Sequence, residues 1–332
     1  MMIQICDDVN QIDLYQWSKL LEKSVKASFF HSYGYCKALI ESKEIMPVII
    51  AVENEQKEIT ALTIGELANE SKRVPFLSKR LLILDAPLYE DIESLLYLVR
   101  HLKKINAGLF VQIRTFFPFS ENEQSVYMKF GFVLSDHLNA YISLTNKTND
   151  TIWTLLKKDK RKGIKKAEEK FNIDVREYNS VNQSIDVFYE MQAKLFKRKR
   201  HALKSKDYFY NLLREAKGTI KIVFAIYEGI PIASQLYVVY NKKITALYTA
   251  TLEEHLEKHA GDLLIWYLLK EGIKNKCDYF DFGGGGNPNY KYGPREYKER
   301  FGTVFENVGR FTLSKSFWYK VVMFGYNLML KK

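Results

Sequence analysis

A run of apolar residues that closes on a polar turn and comes straight back occurs twice in this chain, each time followed by the same succession of elements. In the first half, residues 47–54 (PVIIAVEN) read as a buried strand ending in a turn, and residues 59–65 (ITALTIG) alternate and return as its hairpin partner. A third apolar run, residues 81–87, precedes a helix marked by the spacing of Ile92, Leu95, Leu96, Leu98 and Val99, and residues 109–114 form the next strand. In the second half, residues 220–227 run into a turn at Glu228 and Gly229, and residues 232–240 return. Residues 244–251 then form a third strand, residues 263–273 an amphipathic helix ending near Gly272, and residues 278–282 a strand closed by the glycine run 283–286. An order repeated on this scale is the mark of a duplicated domain, so the expected class is α/β (α+β), with two tandem domains whose mixed sheets are flanked by helices.

The natural junction lies within residues 141–160. A boundary near Thr148 gives an N-terminal domain of residues 1–148 and a C-terminal domain of residues 149–310, with Asn149 or Asp150 capping the helix that opens the second. The 332 residues are enough for two cores, and 47% hydrophobic with 27% charged content is that of a folded protein. The first residues carry acids and no continuous apolar stretch, which argues against a secretory signal, and no segment reaches membrane-spanning length. Cys6, Cys36 and Cys277 lie far apart with no CxxC or histidine-rich companion, so neither a disulfide framework nor a zinc site is indicated. The expectation is a protein of the reducing cytoplasm. A net charge of +11 favours a polyanionic partner: RNA, an anionic membrane surface or a phosphorylated substrate.

The segment richest in chemistry is residues 278–286 (DYFDFGGGG), followed by residues 297–302 (YKERFG). Glycines at a strand end let a ligand approach backbone N–H groups that can hold an oxyanion or phosphate, and Lys298 can neutralise a phosphate or carboxylate. The plainer reading is a flexible turn and a snorkelling lysine.

With these residues in view, the sequence resembles the Fem-type (FemAB-like) peptidoglycan aminoacyltransferases, which are tandem proteins of the GNAT acyltransferase superfamily. The resemblance spans nearly the whole chain. Its motifs are residues 28–33 (SFFHSY), 161–167 (RKGIKKA) and 229–235 (GIPIASQ), together with Tyr248, the strand end at 281–284 (DFGG) and residues 297–302 (YKERFG). The resemblance implies that Tyr297 and Lys298 lie near the activated acyl end, with Asp281 and Tyr248 as the further catalytic candidates. Lys298 is the first of these, because its charge can stabilise the negative charge that develops when an amine attacks an ester or thioester carbonyl. Deprotonation of the amine by the substrate itself, by a water relay, or by Asp281 or Tyr248 are open alternatives, and Asp281 reads equally as a cap on the glycine loop. Arg161, Lys162, Gln235, Gly283, Gly284 and Phe301 are the substrate-binding candidates.

The implied reaction is transfer of an aminoacyl group from aminoacyl-tRNA to an amine of a peptidoglycan precursor or related glycoconjugate. It needs no metal and no resident cofactor, the activated donor being a co-substrate. CoA-dependent members of the superfamily carry a glycine-bearing loop ahead of the helix that follows the third strand, where backbone amides hold the pyrophosphate. Here that place, residues 252–262, reads LEEHLEKHAGD, which is acidic and nearly free of glycine. The donor is thereby tilted toward aminoacyl-tRNA. The rival readings are an acyl-CoA or acyl-carrier N-acyltransferase acting on an amino sugar for surface polysaccharide, and a non-catalytic RNA or membrane-surface binding protein on the same scaffold.

Residues 157–166 and 194–201 are dense in lysine and arginine, and can dock tRNA or the phosphates of a nucleotide-linked or lipid-linked acceptor, or serve as solvated helix faces. Residues 311–332 are expected to form an apolar-aromatic helix that packs on the N-terminal domain or lies in a membrane interface, giving peripheral contact with the inner membrane face. His255 and His259 stand at i, i+4 without the Glu of a zinc helix, and with His31 read as solvent-exposed loop histidines.

Overall fold

A computed structural model describes residues 4–6, 8–69, 78–178, 180–199, 202–316 and 319. The chain divides into two compact units: residues 138–306 form one, and residues 1–137 with 307–332 form the other, so the second unit is inserted into the chain of the first.

In the first unit the elements run β1 (Gln4–Cys6), α1 (Leu14–Lys23), α2 (Tyr33–Ile40), β2 (Met46–Glu53), β3 (Ile59–Asn69), β4 (Lys79–Ile83), β5 (Leu88–Tyr89), α3 (Ile92–Leu102), β6 (Phe110–Ile113), α4 (Glu121–Lys129) and β7 (Val133–Ser135). They are joined by β15 (Arg310–Ser314) from the end of the chain. The sheet order is β1-β2-β3-β4-β6-β15-β7, with β5 paired to β3, and β4 and β6 are parallel. Leu95, Leu98, Val99 and Leu102 of α3 fill the core against Ile50, Val52, Ala61, Leu81 and Val111. Tyr35 of α2 donates from its hydroxyl to the buried Glu66 of β3 at 2.7 Å. His31 is buried rather than exposed: its Nδ1 accepts from the Ser28 amide and its Nε2 reaches the Ala86 carbonyl at 2.9 Å, which places the ring proton on Nε2.

The second unit runs β8 (Leu138–Ser143), α5 (Asn149–Leu155), α6 (Lys158–Lys165), β9 (Asp174–Arg176), α7 (Val181–Lys199), α8 (Lys206–Glu215), β10 (Ile220–Tyr227), β11 (Ile230–Tyr240), β12 (Lys243–Thr251), α9 (Ala260–Lys274), β13 (Tyr279–Gly286), α10 (Gly293–Glu299) and β14 (Val304–Asn307). Its sheet order is β14-β8-β13-β12-β11-β10-β9. The apolar stripe of α9 packs on one sheet face with Ile152, Leu156 and Ile164 of the α5–α6 segment. The α7 and α8 helices cover the other face.

The repeated topology therefore holds, with one exchange. The strand that follows β7 in the chain, β8, lies beside β13 in the second sheet, and the strand that follows β14, β15, lies between β6 and β7 in the first. By sheet membership the second unit starts at Leu138, ahead of the boundary expected near Thr148. The cap of α5 is Thr148 itself, which exchanges side-chain and backbone hydrogen bonds with Thr151, rather than Asn149 or Asp150. Residues 310–314 form a strand, not the start of a terminal helix, because Phe311 and Leu313 point inward in alternation with Arg310, Thr312 and Ser314. The rest of the expected helix, apart from Tyr319 whose ring rests 5.2 Å from that of Phe110, lies outside the described residues.

The glycine run is part of β13, not a loop that closes it. Register shifts against β8 fall between Asp281 and Gly283 and between Gly284 and Gly286, and Gly283 and Gly286 take φ of +74° and +77°. Gly285 is needed for a different reason: a Cβ there would lie 3.0 Å from Leu138 Cβ and from the Phe305 ring. Crowding from β8 and β14 thus accounts for glycine beyond what the two turns of the strand require. A Gly285→Ala variant is expected to lose about 1–3 kcal/mol of stability by overpacking, read as a lowered urea midpoint with an unchanged slope.

Candidate functional site

The β12 and β13 strands lie parallel for three residue pairs, Lys243 with Tyr279, Ile244 with Phe280 and Thr245 with Asp281. Among the described residues the ladder ends there, and the two strands part. On the β12 side a bulge between Leu236 and Tyr237 of β11 throws the ladder out of step, and Gln235 is sewn into it. Its amide donates to the Leu236 carbonyl at 2.8 Å and the Tyr248 carbonyl at 3.2 Å, and its oxygen accepts from the Thr249 hydroxyl. Gln235 thus holds the strand that forms one wall. Tyr248, half-buried on that strand, packs edge-on to Phe209 at 4.9 Å and near Phe196 at 6.3 Å.

On the β13 side, Asp281 accepts from the Gly283 amide at 2.7 Å, fixing the turn of the strand into its glycines. Lys298, near the end of α10, brings its ammonium to the carbonyls of Phe282 and Gly284, each at 2.8 Å, and of Gly283 at 3.4 Å. Phe282 and Gly284 are alternate residues, so the cation supplies one edge of the parted strand with hydrogen bonds that a neighbouring strand would otherwise give. Burial lowers its pKa to about 8, partly opposed by the charge of Asp281. Lys298, Asp281, Gly283 and Gly284 therefore meet at one place, as the sequence reading expects.

A second charge cluster adjoins the first through α10. Lys160 of α6 forms an ion pair of 2.7 Å with Asp262 in the first turn of α9, and both side chains are less than a tenth exposed. The Lys160 ammonium lies 4.0 Å from the centre of the Tyr297 ring and 5.1 Å from that of Phe301. The Tyr297 hydroxyl donates to the same Asp262 oxygen at 2.8 Å. Although 38% of Tyr297 is exposed, its hydroxyl is turned inward, and burial together with the neighbouring carboxylate raises its pKa well above the ordinary phenol value. Phe301 is wholly buried in the core of the unit. His259, whose Nδ1 lies 3.3 Å from the other Asp262 oxygen, caps α9 in the left-handed region and leans on Gly163. It is no free loop histidine, and His255 is half-buried as well. The helix N-terminus that would otherwise offer bare amides to a phosphate already carries its own carboxylate.

The remaining candidates stand apart from these two clusters. Arg161 donates to the Thr154 and Leu156 carbonyls at 3.2 and 2.9 Å and so closes the end of α5, while Lys162 is exposed on α6. Sequence reasoning missed Lys160, Asp262 and Arg295. The signal for Lys160 was its place on the apolar stripe of Leu156, Ile164 and Ala167, where a lysine needs a partner. Asp262 sits likewise on the buried stripe of Ile265 and Leu269. Arg295 donates to the carbonyls of Gly285 at 2.8 Å, of Pro288 at 3.3 Å and of Tyr290 at 3.2 Å, gathering the loop after the glycines, a role that no spacing discloses. Among the described residues no group of three or more His, Cys, Asp or Glu side chains is placed to hold a metal ion, and no helix is long and apolar enough to cross a membrane.

Residues 156–298 match the acetyltransferase (GNAT) domain family. The solved structure of FemX superposes with a TM-score of 0.71 at 13% identity, covering 95% of this chain and 97% of that one. The chain has a Fem-like tandem GNAT fold. L-PGS from Bacillus licheniformis gives a TM-score of 0.59 at 15% identity over 97% of this chain and 98% of its own. A tandem GNAT protein from the clavulanic acid biosynthesis pathway gives 0.57 at 9% identity over 95% and 99%. No curated protein matches the sequence. The GNAT domain that holds both charge clusters makes the second unit of this fold an acyltransferase domain.

The Lys160–Asp262 pair sets a stability expectation. Lys160→Met leaves a buried carboxylate without its cation and is expected to cost about 3–5 kcal/mol, whereas Lys160→Met combined with Asp262→Leu should recover much of that loss. Urea denaturation of the two variants and the parent measures both.

Proposed function

We propose that the protein is an N-acyltransferase that moves an aminoacyl group from aminoacyl-tRNA to a primary amine of a peptidoglycan precursor or related glycoconjugate. The observation that carries this reading is the pairing of an open seam between β12 and β13, with a lysine ammonium on its wall, and a helix N-terminus occupied by a buried Lys–Asp pair. The seam suits an activated acyl group. A helix end with a carboxylate in its first turn, behind an acidic and nearly glycine-free stretch, offers poor reception to the pyrophosphate of CoA. The similarity to FemX supports the same choice, and the exposed cations of α6 and of residues 194–199 suit a polyanionic donor.

In this reading the acceptor amine attacks the ester carbonyl of the aminoacyl end, and the oxygen gains negative charge as the tetrahedral intermediate forms. The Lys298 ammonium lies against the wall of the seam and stabilises that charge in a low-dielectric setting. Tyr297, held by Asp262, fixes the α10 turn that carries Lys298. The C–O bond to the terminal ribose then breaks, leaving an amide and a free tRNA hydroxyl. The proton lost by the amine leaves through the substrate or through water, with Asp281 engaged in holding Gly283. On this reading the protein works in the cytoplasm, or against the inner membrane face, where both substrates occur.

Purified protein incubated with amine acceptors and either charged tRNA or acyl-CoA, with product mass as the readout, tests the reading. Product from charged tRNA that disappears on ribonuclease treatment is expected. Product from acyl-CoA alone would transfer the assignment to a thioester-dependent enzyme.

The depressed Lys298 pKa gives a pH prediction of definite sign. The group is charged below about 8 and neutral above it, so kcat/KM should fall as pH rises through that value. Stability responds in the opposite direction. The unfolded chain holds the proton up to its ordinary value of 10.5, so the contribution of this group to stability increases between about 8 and 10.5. A Lys298→Arg variant that keeps any activity should lose the alkaline fall, which a pH–rate profile measures.

A further inference from the structure

The face of the second sheet opposite α9 carries two polar side chains that find no hydrogen-bond partner among the described residues. Gln192 of α7 is fully buried, and neither its amide nitrogen nor its oxygen has a hydrogen-bond partner among the described residues. The hydroxyl of Ser234 on β11, also fully buried, is in the same position. A buried amide without partners costs about 1–3 kcal/mol, so two such groups on one face call for an explanation.

Their placement relates them to the seam. Gln192 lies one helical turn from both Phe188 and Phe196, on the stripe that α7 turns toward β11 and β12. The Phe196 ring neighbours that of Tyr248, Phe188 packs on Phe209, and Phe209 packs on Tyr248. Ser234 pairs with Ala250 and Leu236 with Tyr248, so Ser234, Tyr248 and Ala250 share this face. Tyr248 and Ala250 belong to the part of β12 that lies beyond Thr245, where the ladder to β13 has ended. Ser234 thus lies one strand in from the first wall of the seam, and Gln192 on the helix stripe that covers that wall.

We infer that Gln192 and Ser234 select the acyl group, hydrogen-bonding a neutral polar substituent, a hydroxyl or a carboxamide, on the side chain of the transferred residue. Each of them both donates and accepts, which matches a hydroxyl or amide and gives no charge to balance an ammonium or carboxylate. Full burial restricts what can reach them to a small substituent, which an acyl side chain supplies and a bulky glycoconjugate acceptor does not. A site that is built to bond such a group disfavours the apolar analogue strongly, because the protein groups are then left unpaired. The inference rests on the acyl-transfer reading of the seam.

The test compares matched donors: tRNA carrying serine against alanine, and glutamine against methionine. The parent protein should prefer the polar member of at least one pair in kcat/KM by about tenfold or more. Gln192→Met and Ser234→Ala should each erode that preference, and Gln192→Met should leave the thermal midpoint unchanged or raise it, since it removes no internal hydrogen bond. Transfer with no polar preference, or with a preference that neither variant alters, overturns the inference alone. A marked fall in the midpoint of both variants with selectivity intact also overturns it, showing that internal water ties these groups into the fold. Failure of the parent to transfer any acyl group from tRNA or from CoA overturns this inference together with the reading on which it rests.

Discussion

Two parallel strands that stay together for three residue pairs and then part impose the main constraint on the second unit. A backbone edge released inside a protein must find new hydrogen-bond partners. β12 is steadied from its β11 side by Gln235, which binds across the bulge. The β13 edge turns through glycines and gives its carbonyls to one ammonium, that of Lys298. Residues that look catalytic by type are therefore also those that keep the seam open, and the two roles are not separable by geometry. On the proposed reading, a cation that holds the strand is already in place when charge develops beside it.

The interior charges obey a common logic. Lysine is seldom buried without a counterpart, and the buried Lys160 and the half-buried Lys298 have found different ones. Lys160 takes a carboxylate and two aromatic faces; Lys298 takes neutral carbonyls, which soften the burial penalty without cancelling it. Burial weakens the ammonium of Lys298, partly opposed by the charge of Asp281. Asp262 links the groups at the head of α9, engaging Lys160, Tyr297 and His259 at once, so the loop that seems merely to lack a phosphate cradle has a positive structural assignment.

Much of the fold was legible because its elements carry their own periodicity. Both hairpins, the third strands, the α3 and α9 helices and the repeat of their order could be read from alternation and helical spacing. Three features could not. The strand exchange has no local signature, because β8 and β15 look alike whichever sheet they join. The glycines of β13 read as a loop, since crowding by Leu138 and Phe305 is a tertiary fact. His31, His255 and His259 read as exposed, since nothing nearby in sequence reveals a partner such as Ala86 or Asp262. At the candidate site the motif residues Asp281, Gly283, Gly284 and Lys298 do converge, and Tyr297 and Phe301 meet at the adjoining cluster. Their supporting charges come from Lys160 and Asp262, far apart along the chain.

The return of β15 to the first sheet bears on how such a protein can change over time. Residues 138–306 carry the second unit whole, whereas the first sheet takes the strand between β6 and β7 from beyond that stretch. Recombination with a single crossover near residue 137 would leave the first sheet without that strand. An exchange of residues 138–306 alone would keep both sheets complete, so the second unit can be traded as a cassette while the first cannot be moved in one piece.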